Sequence, residues 1–342
     1  MADFRFRVRL ARLLRRRRPV DVSGIPVVPD LSPKHLYRVR LDRARALRAP
    51  ELTPSTTLGL SDDEWILGAV HEGDARAYPV ATMMRAHAVN DFLGGEPFLA
   101  TYCGRCRSGM AFDPRVEGAT LTFDLFGMYQ GNSVLVDDQT GTLWTQMDGR
   151  AIAGPLAGRH LRAEPLEVTM LGEWVQRHPD SLTPKAANHL DPVRGEGAIG
   201  AGPSVRSLVH VARTVSAFDE RLDPDQFVIG VDVGDGAVAY AVEMSAPGPQ
   251  LAVDEVGQVP IALIGSAGRW PNAYDRRVDG AAIDLHLDSG AVVDELGSVW
   301  SPAGVAVSGP RADAKLAPVP SRLTKWFGWS ALHPHTEVRS LG

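Results

Sequence analysis

The chain has 342 residues, 44% hydrophobic and 23% charged, with a formal net charge of −5. This is the composition of ordinary folded domains in a chain long enough for two, and no window carries the ~18 consecutive apolar residues that a membrane span needs. Two cysteines exclude a disulfide framework, and the lack of a basic stripe interleaved with aromatics argues against nucleic-acid binding.

In chain order, the opening MADFRFRVRLARLLRRRR carries eight Arg against one Asp, which leaves the remainder acidic. It lacks the apolar stretch of a secretory signal, so a cytoplasmic location is expected. Residues 1–59 read as a basic segment and lead-in, either inert or in weak contact with an anionic membrane surface. From Trp65, WILGAV and ARAYPV flank the turn HEGD, a hairpin signature. VATMMRAHAVNDFLGG opens after Pro79 and stops at Gly94–Gly95, which predicts a helix with His87, Asn90 and Asp91 on a shared face. Phe98 to Tyr102 predicts a short strand leading into TYCGRC, which holds both cysteines. MAFDPR and TLTFDLF around VEGA, and SVLVDD and TLWTQM around QTG, predict two more hairpins, and VTMLGEWVQRHP a shorter helix. KAANHLDPVRGEGAIGAGPSVRS, rich in Gly, Pro and Ala, marks a connector over 185–221.

Beyond the connector the pattern returns. WILGAVHEGDARAYPV matches FVIGVDVGDGAVAYAV from Phe227, and FDPRVEGATLTFDL matches YDRRVDGAAIDLHL from Tyr274. DQTGTLW and DELGSVW, AIAGP and VAVSGP, and WVQRHP and WSALHP follow in the same order. The expected fold is α+β and β-rich: two degenerate copies of a hairpin-rich module, 60–184 and 222–342, in a pseudo-twofold arrangement.

The comparison also separates scaffold from chemistry. Hairpins and tryptophans persist, whereas Cys103 and Cys106 fall on Gly265 and Gly268, the His87 helix becomes EMSAPGPQLAVDEV, and GMYQGN near Met128 is missing. These three elements are expected to form one site in the first module, with GMYQGN at its mouth. Counterparts at His333 and Asp275 mark His178 and Asp113 as structural, and His160 reads as surface.

Four chemistries fit these residues. Two thiolates and an imidazole are a soft donor set suited to Cu(I) or Zn(II); Met83, Met84 or Met128 would add a thioether and favour copper. No second CxxC or HxxxH completes a structural zinc site. A CxxC pair is alternatively a thiol–disulfide centre, although no helix is predicted after Cys106. The third reading is a nucleophilic cysteine with His87 as base, and the fourth two small buried thiols beside a core histidine. AIAGPLAGRHL is no phosphate loop, because the Lys and Ser/Thr are missing.

At TYCGRC…FD, HAVND, GTLWTQ, AIAGPLAG and GEWVQRHPDSL the chain resembles the prokaryotic domain-of-unknown-function family 3179, through the first module and more weakly through the second. The resemblance implies recurring polar features at a helix histidine with an Asn–Asp ending and at a TYC-x-x-C loop, here His87, Asn90, Asp91, Tyr102, Cys103 and Cys106. It implies no activity. Many members look exported, whereas this sequence shows no signal peptide, and the proline usual after the first cysteine is Gly104 here, which loosens the loop.

The expectation is a soft-metal oxidoreductase acting on a small organic substrate. His87, Cys103 and Cys106 would ligate copper, or zinc, with Tyr102 lining the site and Asn90 or Asp91 orienting His87. The alternatives are a metal-carrying or ligand-binding protein without turnover, and a thiol–disulfide redox protein using the cysteine pair.

Overall fold

The computed structural model describes residues 18–39, 46–57, 59–185, 211–243 and 248–341. The Arg-rich start through residue 17, with its expected membrane contact, and most of the 185–221 connector lie outside the described residues. About 48% of the chain is strand and 10% helix, which makes the protein β-rich with several sheets. Among the described residues no helix is long and apolar enough to cross a membrane. The chain divides into two compact units, Met1–Asp225 with Lys325–Leu332, and Gln226–Thr324 with His333–Gly342.

The first unit carries the cysteines. Its elements are β1 (Trp65–His71), β2 (Asp74–Pro79), α1 (Val80–Ala86), β3 (Ala88–Leu93), β4 (Glu96–Cys103), β5 (Ser108–Asp113), β6 (Phe123–Tyr129), β7 (Asn132–Asp137), β8 (Leu143–Thr145), β9 (Ala151–Ala153), β10 (Arg162–Glu164), β11 (Glu167–Met170), α2 (Leu171–Arg177), β12 (Leu182–Pro184) and, from far along the chain, α3 (Trp326–Ser330). They build three sheets, ordered β11-β1-β2-β12, β10-β5-β4-β3 and β6-β7-β8-β9, each with one further short edge strand. Leu99, Met110, Phe112, Phe123, Leu135 and Trp144 form the core between the second and third sheets.

Two of the expected hairpins form as read: β1 pairs antiparallel with β2, and β7 with β8. The VEGA hairpin is smaller than expected. Only Arg115–Val116 and Ala119–Thr120 pair across it, while β5 turns to β4 and β6 to β7. The long helix is corrected too. It ends after two turns at Ala86; His87 caps it with φ 59°, a left-handed conformation that stops a helix. The next residues, which include the β-formers Val89 and Phe92, are strand β3. Gly94 and Gly95, with φ of 60° and 80°, are a two-residue hairpin turn between β3 and β4 and not a helix stop.

In the second unit, three four-stranded sheets are ordered Ser321–Lys325, Phe227–Val233, Gly236–Ala241, Glu337–Ser340; Gln250–Val256, Val259–Gly265, Asn272–Asp275, Ala317–Pro318; and Leu285–Asp288, Ala291–Asp294, Val299–Trp300, Ala306–Ser308. The tryptophan of the D-x3-G-x2-W hairpin has the same use in each unit. Trp144 Nε1 donates to Asp137 Oδ2 at 2.9 Å in the first, and the slightly shorter hairpin of the second has Trp300 Nε1 donating to Asp294 Oδ2 at 3.0 Å. A buried indole N–H needs such a partner.

Gly68 on β1 shows why small residues sit under the helices. A Cβ there would lie 2.3 to 2.8 Å from the six-membered ring of Trp174 on α2, and that indole is buried. Gly68→Ala is therefore expected to destabilise the protein by about 1–3 kcal/mol, the usual cost of overpacking a filled core. Urea unfolding measures it; unchanged stability would mean that the indole moves aside freely.

Candidate functional site

The two cysteines sit at the tip of the β4–β5 hairpin. Cys103 ends β4 opposite Ser108, which begins β5. Between them Gly104–Arg107 form a tight loop closed by the Arg107 N–H donating to the Cys103 carbonyl at 2.8 Å, with Arg107 at φ 61°. This curl turns Cys106 back towards Cys103, and the Cys106 N–H reaches Cys103 Sγ at 3.5 Å. Neither cysteine is in a disulfide, and both are 0% exposed. Gly104 has a role here: Met84 Sδ from α1 lies 2.9 Å from where a Cβ would be, so the thioether lies against the loop.

Polar groups surround the sulfurs. Cys106 Sγ and Ser108 Oγ are 3.1 Å apart. Ser108 Oγ–H donates to Gln146 Oε1 at 3.0 Å, and Gln146 Nε2 donates to Thr101 Oγ1 at 3.1 Å and to the Ser108 carbonyl at 3.3 Å. All four of these residues are buried. Burial by itself raises the Cys103 pKa, but hydrogen bonds from the Cys106 thiol, the Ser133 hydroxyl and the backbone N–H groups of Cys106 and Arg105 outweigh it and bring the group from 9.0 down to about 6. Donors converging on one sulfur thus favour the thiolate form of Cys103.

α3 comes to the same loop. Lys325, its N-cap, donates its backbone N–H to the Cys106 carbonyl at 2.8 Å. Its Nζ donates to the Asp225 carbonyl at 2.7 Å and lies 3.4 Å from the Asp225 carboxylate. Phe327 N–H donates to the Pro224 carbonyl at 3.0 Å, and Asn132 Nδ2 to that of Gly328 at 2.8 Å. Nothing in the spacing of the sequence marks Lys325 as a neighbour of Cys106, more than two hundred residues away.

His87 is placed differently from the expectation. Its Nδ1 is 3.2 Å from the Tyr102 carbonyl and its own carbonyl accepts from Tyr102 N–H at 2.8 Å, so it clasps the strand leading into the cysteines. Burial pushes the imidazole below its ordinary value; the Tyr102 carbonyl works the other way and Arg105 adds to the depression. Among the described residues no three His, Cys, Asp or Glu side chains are grouped to hold a metal ion.

Asn90 and Asp91 do not serve His87. On a strand they face opposite ways. Asn90 brackets Phe123, accepting from its N–H at 2.7 Å and donating to its carbonyl at 3.0 Å. Asp91 accepts from Arg76 Nε at 3.1 Å and Tyr78 Oη at 3.0 Å. Tyr240 Oη donates likewise to Asp254 in the second unit, at 2.6 Å. Tyr102 is 1% exposed, and its phenol is pushed well above the ordinary value by burial, against which Arg107 acts. GMYQGN is a hairpin tip packed inside the unit and not a mouth: a Cβ on Gly131 would touch Phe327 and Val215, and Gln130 Oε1 accepts from Ser216 N–H at 3.0 Å. Its hairpin nevertheless supplies Ser133 to Cys103. His160 is exposed, and His178 is the residue after α2, its ring 4.3 Å from that of Trp174.

A family model described as protein of unknown function (DUF3179) matches residues 42–336. No curated protein and no solved structure matches the chain.

Proposed function

Since the chain belongs to the DUF3179 family, whose description assigns no activity, we propose from the site itself that the first unit is a thiol–disulfide redox centre. The observation that carries this is the paired geometry of the hairpin tip, with Cys106 turned onto the sulfur of a Cys103 held as thiolate. Complete burial of both sulfurs favours a small acceptor over a protein disulfide. With a low-molecular-weight disulfide, Cys103 Sγ attacks one sulfur, forming a mixed disulfide and expelling one thiolate. Cys106 then gives its proton to that thiolate and attacks Cys103 Sγ, releasing the second thiolate. The acceptor gains two electrons as one thiol and one thiolate, the latter taking a proton from solvent, and the cysteine pair closes as a disulfide.

Thiol titration of the denatured protein before and after incubation with excess glutathione disulfide tests this. Both thiols should disappear, return with dithiothreitol, and leave a trapped glutathione adduct in Cys106→Ser. Two thiols persisting through oxidation would sink the reading.

The soft-metal reading, copper first and zinc second, has one observation in its favour. With Nδ1 facing a carbonyl, His87 keeps its proton there and leaves Nε2 with a free lone pair, the state a ligating imidazole needs. It would add His87 to Cys103 and Cys106, which the described residues do not gather into a three-donor group. Elemental analysis after copper or zinc loading, beside Cys103→Ala and His87→Ala, decides it, and bound metal without turnover would mark a carrier.

We further read the second unit as a degenerate copy of the first. The strand orders of the three sheet pairs, the Trp–Asp and Tyr–Asp bonds and the matching Arg115–Asp113 and Arg277–Asp275 pairs support that reading.

A further inference from the structure

Resting on the dithiol reading, the hydrogen-bond polarity around Gln146 points to a division of labour between the two sulfurs. We infer that Gln146, acting through Ser108, is a positioning residue that keeps the proton on Cys106 and so makes Cys103 the attacking sulfur and Cys106 the resolving one.

The argument follows donors and acceptors one at a time. The Ser108 backbone carbonyl, 3.3 Å from Gln146, can only accept, so the Gln146 side chain must turn its NH₂ towards it. The same NH₂ donates to Thr101 Oγ1, which is free to accept because the Thr101 hydroxyl donates to the Met110 carbonyl at 3.0 Å. Gln146 Oε1 is thereby fixed as an acceptor facing Ser108, and the Ser108 hydroxyl proton goes to it. Ser108 Oγ then has only lone pairs to offer the sulfur 3.1 Å away. A Cys106 thiolate would face those lone pairs, whereas the one proton of a Cys106 thiol has an acceptor on either side, Ser108 Oγ or Cys103 Sγ. Around Cys103 the polarity is reversed: the Cys106 N–H donates to its sulfur at 3.5 Å, and the Ser133 hydroxyl and the Arg105 N–H add to it as donors. One side of the pair is lined to accept a proton and the other to supply them.

Other charged and titratable groups also surround the pair. Arg105 and Arg107 belong to the loop that carries both sulfurs, and Tyr102 precedes it. His87 is engaged with the Tyr102 carbonyl, and Lys325 meets the loop through its backbone while its ammonium faces Asp225.

The fold does not need this network. Counting from the matched pairs Leu99–Phe112 and Ala262–Tyr274, which shifts the first strand of the hairpin one place from the gapless match and sets Cys103 at Ser266 rather than Gly265, Thr101 corresponds to Ile264 and Ser108 to Trp270. In GTLWTQ and GSVWSP, Gln146 corresponds to Pro302. The second unit, without cysteine, has apolar side chains at all three places.

The test uses methyl methanethiosulfonate, a probe small enough for a buried thiol, on the full-length Cys106→Ala and Cys103→Ala proteins. Cys103 in the first should be modified about tenfold faster or more than Cys106 in the second, as expected for sulfurs whose thiolate fractions differ strongly. Adding Gln146→Met, which frees the Ser108 hydroxyl to donate to sulfur, should raise the Cys106 rate and collapse the ratio. Gln146→Glu still accepts that hydroxyl and should preserve it. A merely structural Gln146 would change both rates together in both variants. Equal reactivity of the two sulfurs, including equal inertness, or a ratio untouched by Gln146→Met, overturns the inference; reversible disulfide formation in the unmodified protein would then still stand.

Discussion

Cys103→Ser should abolish the thiolate absorption near neutral pH and slow mixed-disulfide formation about tenfold or more, leaving only the reaction of Cys106. In the unmodified protein that absorption should rise with a midpoint near pH 6, the value to which burial, opposed by the Cys106, Ser133 and backbone donors, brings the group. Stability follows the same linkage. A folded value of about 6 against 9.0 unfolded means that the thiolate stabilises the native state fully above pH 9. That contribution shrinks as the pH falls and is gone below about 6. The stability gap between the unmodified protein and Cys103→Ser should therefore widen with rising pH across that window. A gap independent of pH, or a midpoint above 8, would show that the donors around Cys103 do not hold an anion.

The largest loss of stability is expected elsewhere in the first unit, at Asp91. Arg76 is 2% and Asp91 5% exposed at the side chain, and the carboxylate accepts from Arg76, from Tyr78 Oη and from Phe92 N–H. Asp91→Ala leaves a guanidinium and a phenol buried with their main acceptor gone. Removal of one partner of a buried pair costs about 3–5 kcal/mol, so the midpoint of urea unfolding should fall sharply. Asp74, which also bonds Arg76, is 37% exposed at the side chain and limits the loss only in part. A loss under about 1 kcal/mol would place Asp91 among ordinary surface charges.

Much of the scaffold was legible because its signals are local. HEGD and QTG sit between alternating runs and became hairpins, and TYC was rightly read as strand-borne. The stretch around His87 was not. Met83, Met84 and His87 keep a helical spacing, and the left-handed turn at His87 breaks it without a glycine to announce it. The Gly94–Gly95 pair was a usable clue, since two adjacent glycines between Val- and Phe-bearing runs also describe a two-residue hairpin turn. Reading them as a helix stop put Asn90 and Asp91 beside His87, when Asn90 brackets Phe123 and Asp91 holds Arg76. Within the site, the cysteines stood out by rarity. Ser108, Ser133, Gln146 and Lys325 did not, because their link to the sulfurs runs across strands and has no spacing in the sequence.

The position of α3 bears on how this chain can be divided, in the laboratory or by descent. The first unit takes Lys325–Leu332 from beyond most of the second, and that segment caps the carbonyl of Cys106 and receives Asn132. A fragment ending at residue 225 thus lacks part of its own interior, however well its boundary fits a module. The same holds for a shortened gene. Deleting the cysteine-free half would also remove the piece that completes the cysteine-bearing one.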